Sequence, residues 1–380
     1  MLLNSSPAVG ERDIDAILED IQPPSDLLAA LKPIPSCTVA NFLLIRAPPR
    51  PGSRKYFLEA SSWFSLEPPN DKLDDVGDLI LPSEKLCDTL DSHLRKAIDQ
   101  GMCSVQHPVK TGIFLPLCAV RAWKWGNVLV KKQKMWRTRL DWVKETATEE
   151  KWSQALQEKV MATIMSTPWH MGYRALQNGT VSTTTLALLL SDEWLNDEHM
   201  DCIGDVIRAD MLAHGVPSST QLPSCLLGKN MEIPGKGSTE TMWGERLRSG
   251  AANTLELQYN VKNLHWISVE IAVRDHTLNI GDSLPQVTDK ALPVVPDIQS
   301  ILTTWLKHYL PEVSWSTNLR GIKVPLQRDK HSCGIASSST IHHRLVPEAP
   351  LWDPKKPGKS RAYYFCRCVE LGKGVSSIIT

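Results

Sequence analysis

The hydrophobic pattern changes period along the chain, and each change predicts a different element. Between about 121 and 165 the spacing is helical. Leu129, Trp136, Leu140 and Val143 share one face, and Trp152, Leu156, Val160 and Ile164 recur every fourth position. Two amphipathic helices are expected there. Thr167-Pro168 should end the second, because the residue before a proline is pushed out of the helical backbone conformation. Met200, Ile203, Val206, Ile207 and Met211 then resume three- and four-residue steps up to Gly215. Asn196 is the expected N-cap of that helix, with Asp197, Glu198 and Asp201 set against the positive end of its dipole.

Residues 254–284 switch to period two. Leu255, Leu257 and Tyr259 alternate in one run, and His265, Ile267, Val269 and Ile271 in the next, opposite Trp266 and Ser268. After a turn at Arg274-Asp275-His276, the run Leu278-Asn279-Ile280 leads into Gly281-Asp282-Ser283. These are strands joined by short turns, with an antiparallel hairpin over 265–280. A helix from about Asp297 to Leu310, a strand at 321–326, a polar loop and a helix opening at Cys333 complete the reading. Residues 53–120 carry no assignable pattern. The expected class is α+β, a small mixed sheet flanked by helices, preceded by a partly helical N-terminal extension. The extension is expected over 1–165 and the second domain over 166–380.

Composition is ordinary for a folded protein, with 42% hydrophobic and 22% charged residues over 380 positions. Lys plus Arg equals Asp plus Glu at 42 each, so the overall balance calls for no strongly charged partner. Eight of the 26 prolines fall before residue 52, in stretches such as Gln22-Pro23-Pro24-Ser25 and Ala47-Pro48-Pro49-Arg50-Pro51, which read as extended chain. Nine cysteines without repeated spacing read as reduced thiols, which points to the nucleus or cytoplasm. No apolar run approaches the ~20 residues needed to cross a bilayer, and the start of the chain lacks a secretory pattern, so no membrane association is expected. Seven basic residues lie between Arg121 and Arg139 with no acid among them, interleaved with Trp123, Trp125 and Trp136. This stretch reads either as a nucleic-acid-binding face or as a solvated helix face whose tryptophans turn to a core.

Candidate chemistry begins at Gln327-Arg-Asp-Lys-His-Ser332-Cys333-Gly334, where a cysteine stands at a loop-to-helix junction. Unpaired N–H groups and the dipole at a helix start favour thiolate over thiol, which suits a nucleophile. A small buried hydrophobe is the other reading of Cys333. A cysteine nucleophile needs a base, and the base needs a third group to fix its tautomer. His265 begins one strand and Asp282 ends the strand that a hairpin lays beside it, so both can reach one edge of the sheet. Alone, His265 reads as a structural histidine and Asp282 as a turn residue.

Taken together, Trp194-Leu195-Asn196-Asp197, His265-Trp266, Gly281-Asp282-Ser283-Leu284, and Gln327 followed by Cys333-Gly334 resemble the ubiquitin-like-protein-specific cysteine proteases of the SUMO-protease type. The motif order and the 17-residue step from His265 to Asp282 agree with that family, over roughly residues 167–370. The resemblance implies a papain-like fold, no cofactor and no metal. Its implied substrate is a SUMO-like ubiquitin-like modifier, or a protein conjugate of one, cut after the modifier's terminal Gly-Gly. Cys333 would attack the glycine carbonyl, His265 would act as base and then acid, Asp282 would orient His265, and Gln327 would donate to the oxyanion. Trp194 and Trp266 would roof a tunnel over the modifier's tail. Family members often carry Asn and Asp between the glutamine and the cysteine, where this chain has Asp329 and Ser332. That departure motivates an alternative: a domain that grips a ubiquitin-like protein without cutting it. Another alternative, of the kind found in mobile elements, is a fusion whose N-terminal half binds nucleic acid. His331, His342 and His343 lie near Cys333 but match no zinc spacing, and Cys366-Arg367-Cys368 lacks the usual two-residue gap.

Overall fold

The computed structural model describes residues 36–49, 60–73, 79–175, 179–225, 238–284 and 295–376, together with 22, 25, 29, 227, 228 and 231. Much of the proline-rich start, including Pro23, Pro24, Arg50 and Pro51, lies outside the described residues. The chain forms two compact units, Met1–Thr138 and Arg139–Thr380.

In the first unit, helix α1 (Val39–Leu44), strand β1 (Phe64–Ser65), helix α2 (Glu84–Asp99) and strands β2 (Ser104–Gln106) and β3 (Phe114–Pro116) precede α3 (Cys118–Glu149), which runs on into the second unit. The strands form an antiparallel sheet in the order β1-β2-β3. Ser83 caps α2, its hydroxyl accepting from Leu86 N at 3.3 Å. Trp123 and Trp136 are fully buried, so these tryptophans belong to the core, while Trp125 is 39% exposed. Of the basic residues on α3, Lys124 pairs with Asp91 and Lys131 with Glu84, both acids of α2.

The second unit continues with α4 (Gln154–Ser166), the hairpin of β4 (Gly172–Ala175) and β5 (Gly179–Ser182), α5 (Thr183–Leu186) and α6 (Asp197–Ala213). There follow β6 (Thr220–Gln221), α7 (Ser238–Arg248), β7 (Thr254–Val261), β8 (His265–Ala272), β9 (Thr277–Gly281), α8 (Val295–Tyr309), β10 (Ser316–Asn318), α9 (Cys333–Leu345) and α10 (Pro357–Ser376). The sheet runs β10-β9-β8-β7-β6, antiparallel at its centre and parallel at both edges. One face packs on α8: Leu257, Val269 and Ile280 meet a core that includes Ile298, Leu302, Trp305 and Leu306. The other face carries α9, with Gln258 Nε2 donating to Ser338 Oγ at 2.8 Å and Ser268 Oγ to Ser337 O at 3.2 Å. Cover on both faces leaves β7 and β8 buried along most of their length, including polar positions such as Glu256, Gln258 and Ser268.

The mixed α and β class is as expected. Asn196 is the N-cap of α6, accepting from His199 N at 3.3 Å, and α4 stops at Ser166 before Thr167-Pro168. The end of α3 and all of α4 fold with the second unit, which begins at Arg139. Arg139 pairs with Glu193 at 2.9 Å, Trp142 Nε1 donates to Asp192 at 3.1 Å, and the Glu150 carboxylate accepts from Gly358 N and Lys359 N at the start of α10. The strand expected at 321–326 is absent. Pairing with β9 is made earlier, by Ser316–Asn318, and beyond it Ile322 N to Ile280 O is a lone bond of 3.3 Å. Pro325 has no N–H to extend a ladder. Among the described residues no helix is long and apolar enough to cross a membrane.

Candidate active site

The loop before α9 is shaped by one side chain. Asp329 Oδ1 accepts from His331 N at 2.9 Å and Ser332 N at 2.8 Å, and its Oδ2 accepts from the Ser332 hydroxyl at 2.8 Å. Burial works against the Asp329 charge, but these donors, the Ser332 hydroxyl foremost, together with His331, hold the carboxyl below its ordinary range. The folded loop makes Ser332 the residue before the helix and Cys333 its first member. There the backbone N–H groups have no acceptor within the helix. Gly334 must be small. A Cβ on it would stand 2.9 Å from Met200 Sδ, 3.4 Å from Trp266 Cδ1 and 3.5 Å from Leu195 Cδ1. The buried Ala336, Ser337, Ser338 and Ser339 continue the close approach of α9 to the sheet.

His265 is delivered by the β7–β8 turn, where Lys262 and Asn263 both have positive φ and Leu264 N donates to Val261 O at 2.9 Å. Asp282 follows the last residue of β9, and pairing of Ser268 with Gly281 lays it at the same end of the hairpin. The result is a bond of 2.7 Å between His265 Nε2 and Asp282 Oδ1, with Asp282 Oδ1 also accepting from Leu284 N at 2.8 Å. Cys333, 3% exposed, stands close enough to the same imidazole to act on its protonation. With Nε2 turned to the acid, Nδ1 is the nitrogen left for the sulfur. Burial alone would lower the His265 pKa. Hydrogen bonds to Asp282 and Cys333 and the charges of both outweigh it and push the imidazole up to about 9. An acid, an imidazole and a sulfur thus stand together, the set of groups that a thiol nucleophile with an oriented base requires.

Gln327 is buried, and both ends of its side-chain amide and its backbone N are hydrogen-bonded. Its Oε1 accepts from Ser283 Oγ at 2.7 Å, its Nε2 donates to Asp329 O at 2.9 Å, and its backbone N donates to Ser283 O at 2.6 Å. These contacts tie the residue after Asp282 to the loop leading into Cys333 and fix which way the amide points. Nε2 carries two hydrogens, and the Asp329 bond uses one. The spacing of the sequence did not single out Ser283 or Asp329 as supports. The signal for Asp329 was present, since an Asp two and three residues before loop N–H groups is the Asx-turn pattern.

Comparison with known proteins adds a likeness at low level. No family model matches the chain, and no curated protein matches it. Among solved structures it is similar to the C-terminal Ulp1 protease domain in complex with Smt3, the yeast ortholog of SUMO, at 17% identity, covering 57% of this chain and 95% of that one with a TM-score of 0.44. The Ulp1-like SUMO protease catalytic domain of Chaetomium thermophilum aligns at 13% identity, covering 57% and 89% with a TM-score of 0.42. Similarity at this level does not identify a function.

The two tryptophans are placed unequally. Trp194 is 50% exposed. Trp266 is only 3% exposed, and its Nε1 donates to Leu195 O at 3.0 Å, so it braces the Trp194 segment against the start of α9. The nearby histidines are held by other groups: His331 Nδ1 lies 3.7 Å from Asp329, His342 Nε2 3.1 Å from Asp210, and His343 Nδ1 bonds to Ala349 O at 2.8 Å.

Proposed function

We propose that the second unit is a thiol protease of the ubiquitin-like-protein-specific kind, papain-like in setting a helix-borne cysteine against a sheet-borne histidine. Its substrate is a SUMO-like modifier, cleaved after the terminal Gly-Gly from a precursor or from a conjugated lysine. The observation that carries this reading is the position of His265, bonded to Asp282 at 2.7 Å with Cys333 close enough to act on the same imidazole. The Cys333 proton passes to His265 and the sulfur attacks the glycine carbonyl. The oxyanion is met by the Cys333 N–H and the unspent hydrogen of Gln327 Nε2. Protonated His265 then donates to the departing amine. Deacylation runs the same path with water, His265 now serving as base. Asp282 keeps the ring oriented throughout. The exposed indole of Trp194 supplies a flat wall against which only an unbranched Gly-Gly tail lies closely.

The test is turnover of SUMO-like and ubiquitin-like modifiers carrying a C-terminal fluorogenic group, with Cys333→Ser as control. Wild-type turnover at least 10²-fold above that control is expected, in keeping with loss of a covalent nucleophile, where about 10⁴-fold or more is typical. Equal rates in both proteins refute the proposal. Modifier binding with no labelling of Cys333 by a C-terminal electrophile favours a domain that grips without cutting.

A further inference from the structure

A buried guanidinium ties down the loop that leads into Cys333. Arg361, in the first turns of α10, is 1% exposed, and its Nη2 donates to two backbone carbonyls, Glu193 O at 2.8 Å and His331 O at 2.9 Å. Glu193 directly precedes Trp194, and His331 lies two residues before Cys333. One nitrogen therefore clamps together the segment bearing the exposed indole and the loop bearing the sulfur. The remaining donors are not used in this way. Nε and Nη1 are buried and have no protein hydrogen-bond partner, and among the described residues no carboxylate lies within ion-pair distance. A buried, unpaired charge is costly to the fold, and a clamp on two carbonyls does not require it, because a neutral amide donates as well.

We propose that Arg361 is a positioning residue for the reaction, holding the Trp194 and Cys333 segments in register while its charge favours the Cys333 thiolate. The inference rests on Cys333 being the nucleophile of the proposed protease. The charged and titratable groups around the pair are His265 from β8, Asp282 after β9, Asp329 and His331 from the loop, His199 from α6, and Asp192 and Glu193 from the Trp194 segment. Burial lowers the Arg361 pKa to about 10, offset in part by Asp192, Asp329, Cys333 and Glu193, so it stays charged across the neutral range. His265 acts from the sheet and titrates, whereas Arg361 acts from α10 and does not. Its contribution is a constant bias toward thiolate.

The test follows Cys333 carbamidomethylation by iodoacetamide against pH in the full chain, read at the Cys333 peptide by mass spectrometry. Wild type is compared with Arg361→Lys, Arg361→Gln and Arg361→Met. The Gln and Met variants are expected to raise the pH midpoint by about half to one unit, slowing alkylation at pH 7 by about three- to tenfold. The Lys variant, which keeps a charge and a multiple donor, stays near wild type. Arg361→Met removes the buried charge but also leaves the Glu193 and His331 carbonyls without their donor, so its urea midpoint should fall below that of Arg361→Gln, which keeps a donor, while the thiols of both variants react more slowly. A wild-type pH midpoint in both neutral variants overturns the proposal, as does a Lys variant shifted as far as Gln. Neutral variants that fail to fold mark Arg361 as structural and overturn it too. The readout needs no modifier, so a chain that turns over no substrate yet shows these shifts refutes the protease reading and leaves the thiolate bias standing.

Discussion

Asp282→Asn separates a working relay from a chance contact, because it keeps the shape of the side chain and removes its charge. His265 titrates at about 9 against an ordinary 6.5. At about 1.4 kcal/mol per pH unit, those 2.5 units make its protonated form worth about 3 kcal/mol to folding. The direction follows from the raised pKa. The stabilisation is fully present below pH 6.5, declines as pH rises toward 9, and is gone above it. In Asp282→Asn the acid's hydrogen bond and charge are lost, burial regains control, and the imidazole falls toward or below 6.5. The wild-type minus variant stability difference, from urea unfolding, should therefore be largest near pH 6 and shrink to near zero by pH 10. Repeating the pair in a Cys333→Ala background removes the sulfur's share and leaves the acid's. Modifier turnover should fall by about 10²-fold or more in the variant, because the ring loses its fixed tautomer. Parallel pH–stability curves for the two proteins would refute the reasoning, since the acid would then not be what holds the proton on His265.

The remaining predictions concern the groups around the relay. Trp194→Ala should raise KM for a modifier substrate with a stability change within about 1 kcal/mol, because the indole is half exposed, whereas Trp266→Ala should cost about 3–5 kcal/mol in urea unfolding. Gln327→Ala should lower kcat by about 10²- to 10³-fold with KM nearly unchanged, as loss of one oxyanion donor does, and an equal rise in KM would instead place the amide on ground-state binding. Ser332→Asp, which restores an acid common in the resembled family, should slow turnover and destabilise the chain by about 1–3 kcal/mol, because it sets a second carboxylate against Asp329 Oδ2. Asp329→Asn added to it should recover most of both losses, a coupling that a double-mutant cycle measures.

What could be read from the chain were the elements whose causes are local. The α6 helix declares itself by three- and four-residue steps and by Asn196 as cap, and the central hairpin by alternation from Leu255 to Ile280. The pairing of His265 with Asp282 was legible for the same reason, since a hairpin of known span puts its two outer ends side by side. The strand expected at 321–326 failed where a local pattern met a tertiary constraint. Gly321 sits so close to β9 that a Cβ would come 2.6 Å from Asn279 Cγ, and the ladder had already been used by Ser316–Asn318. The burial of Trp266 and the two carbonyls gathered by Arg361 were illegible on different grounds. Each depends on segments separated by 71 or more positions, or joined from opposite sides of Cys333. No spacing rule records that. Asp329 shows the limit most clearly. Residue by residue it reads as a mere departure in the segment before Cys333, but in three dimensions its carboxylate gathers His331 N, Ser332 N and the Ser332 hydroxyl and so shapes the loop that leads into the helix.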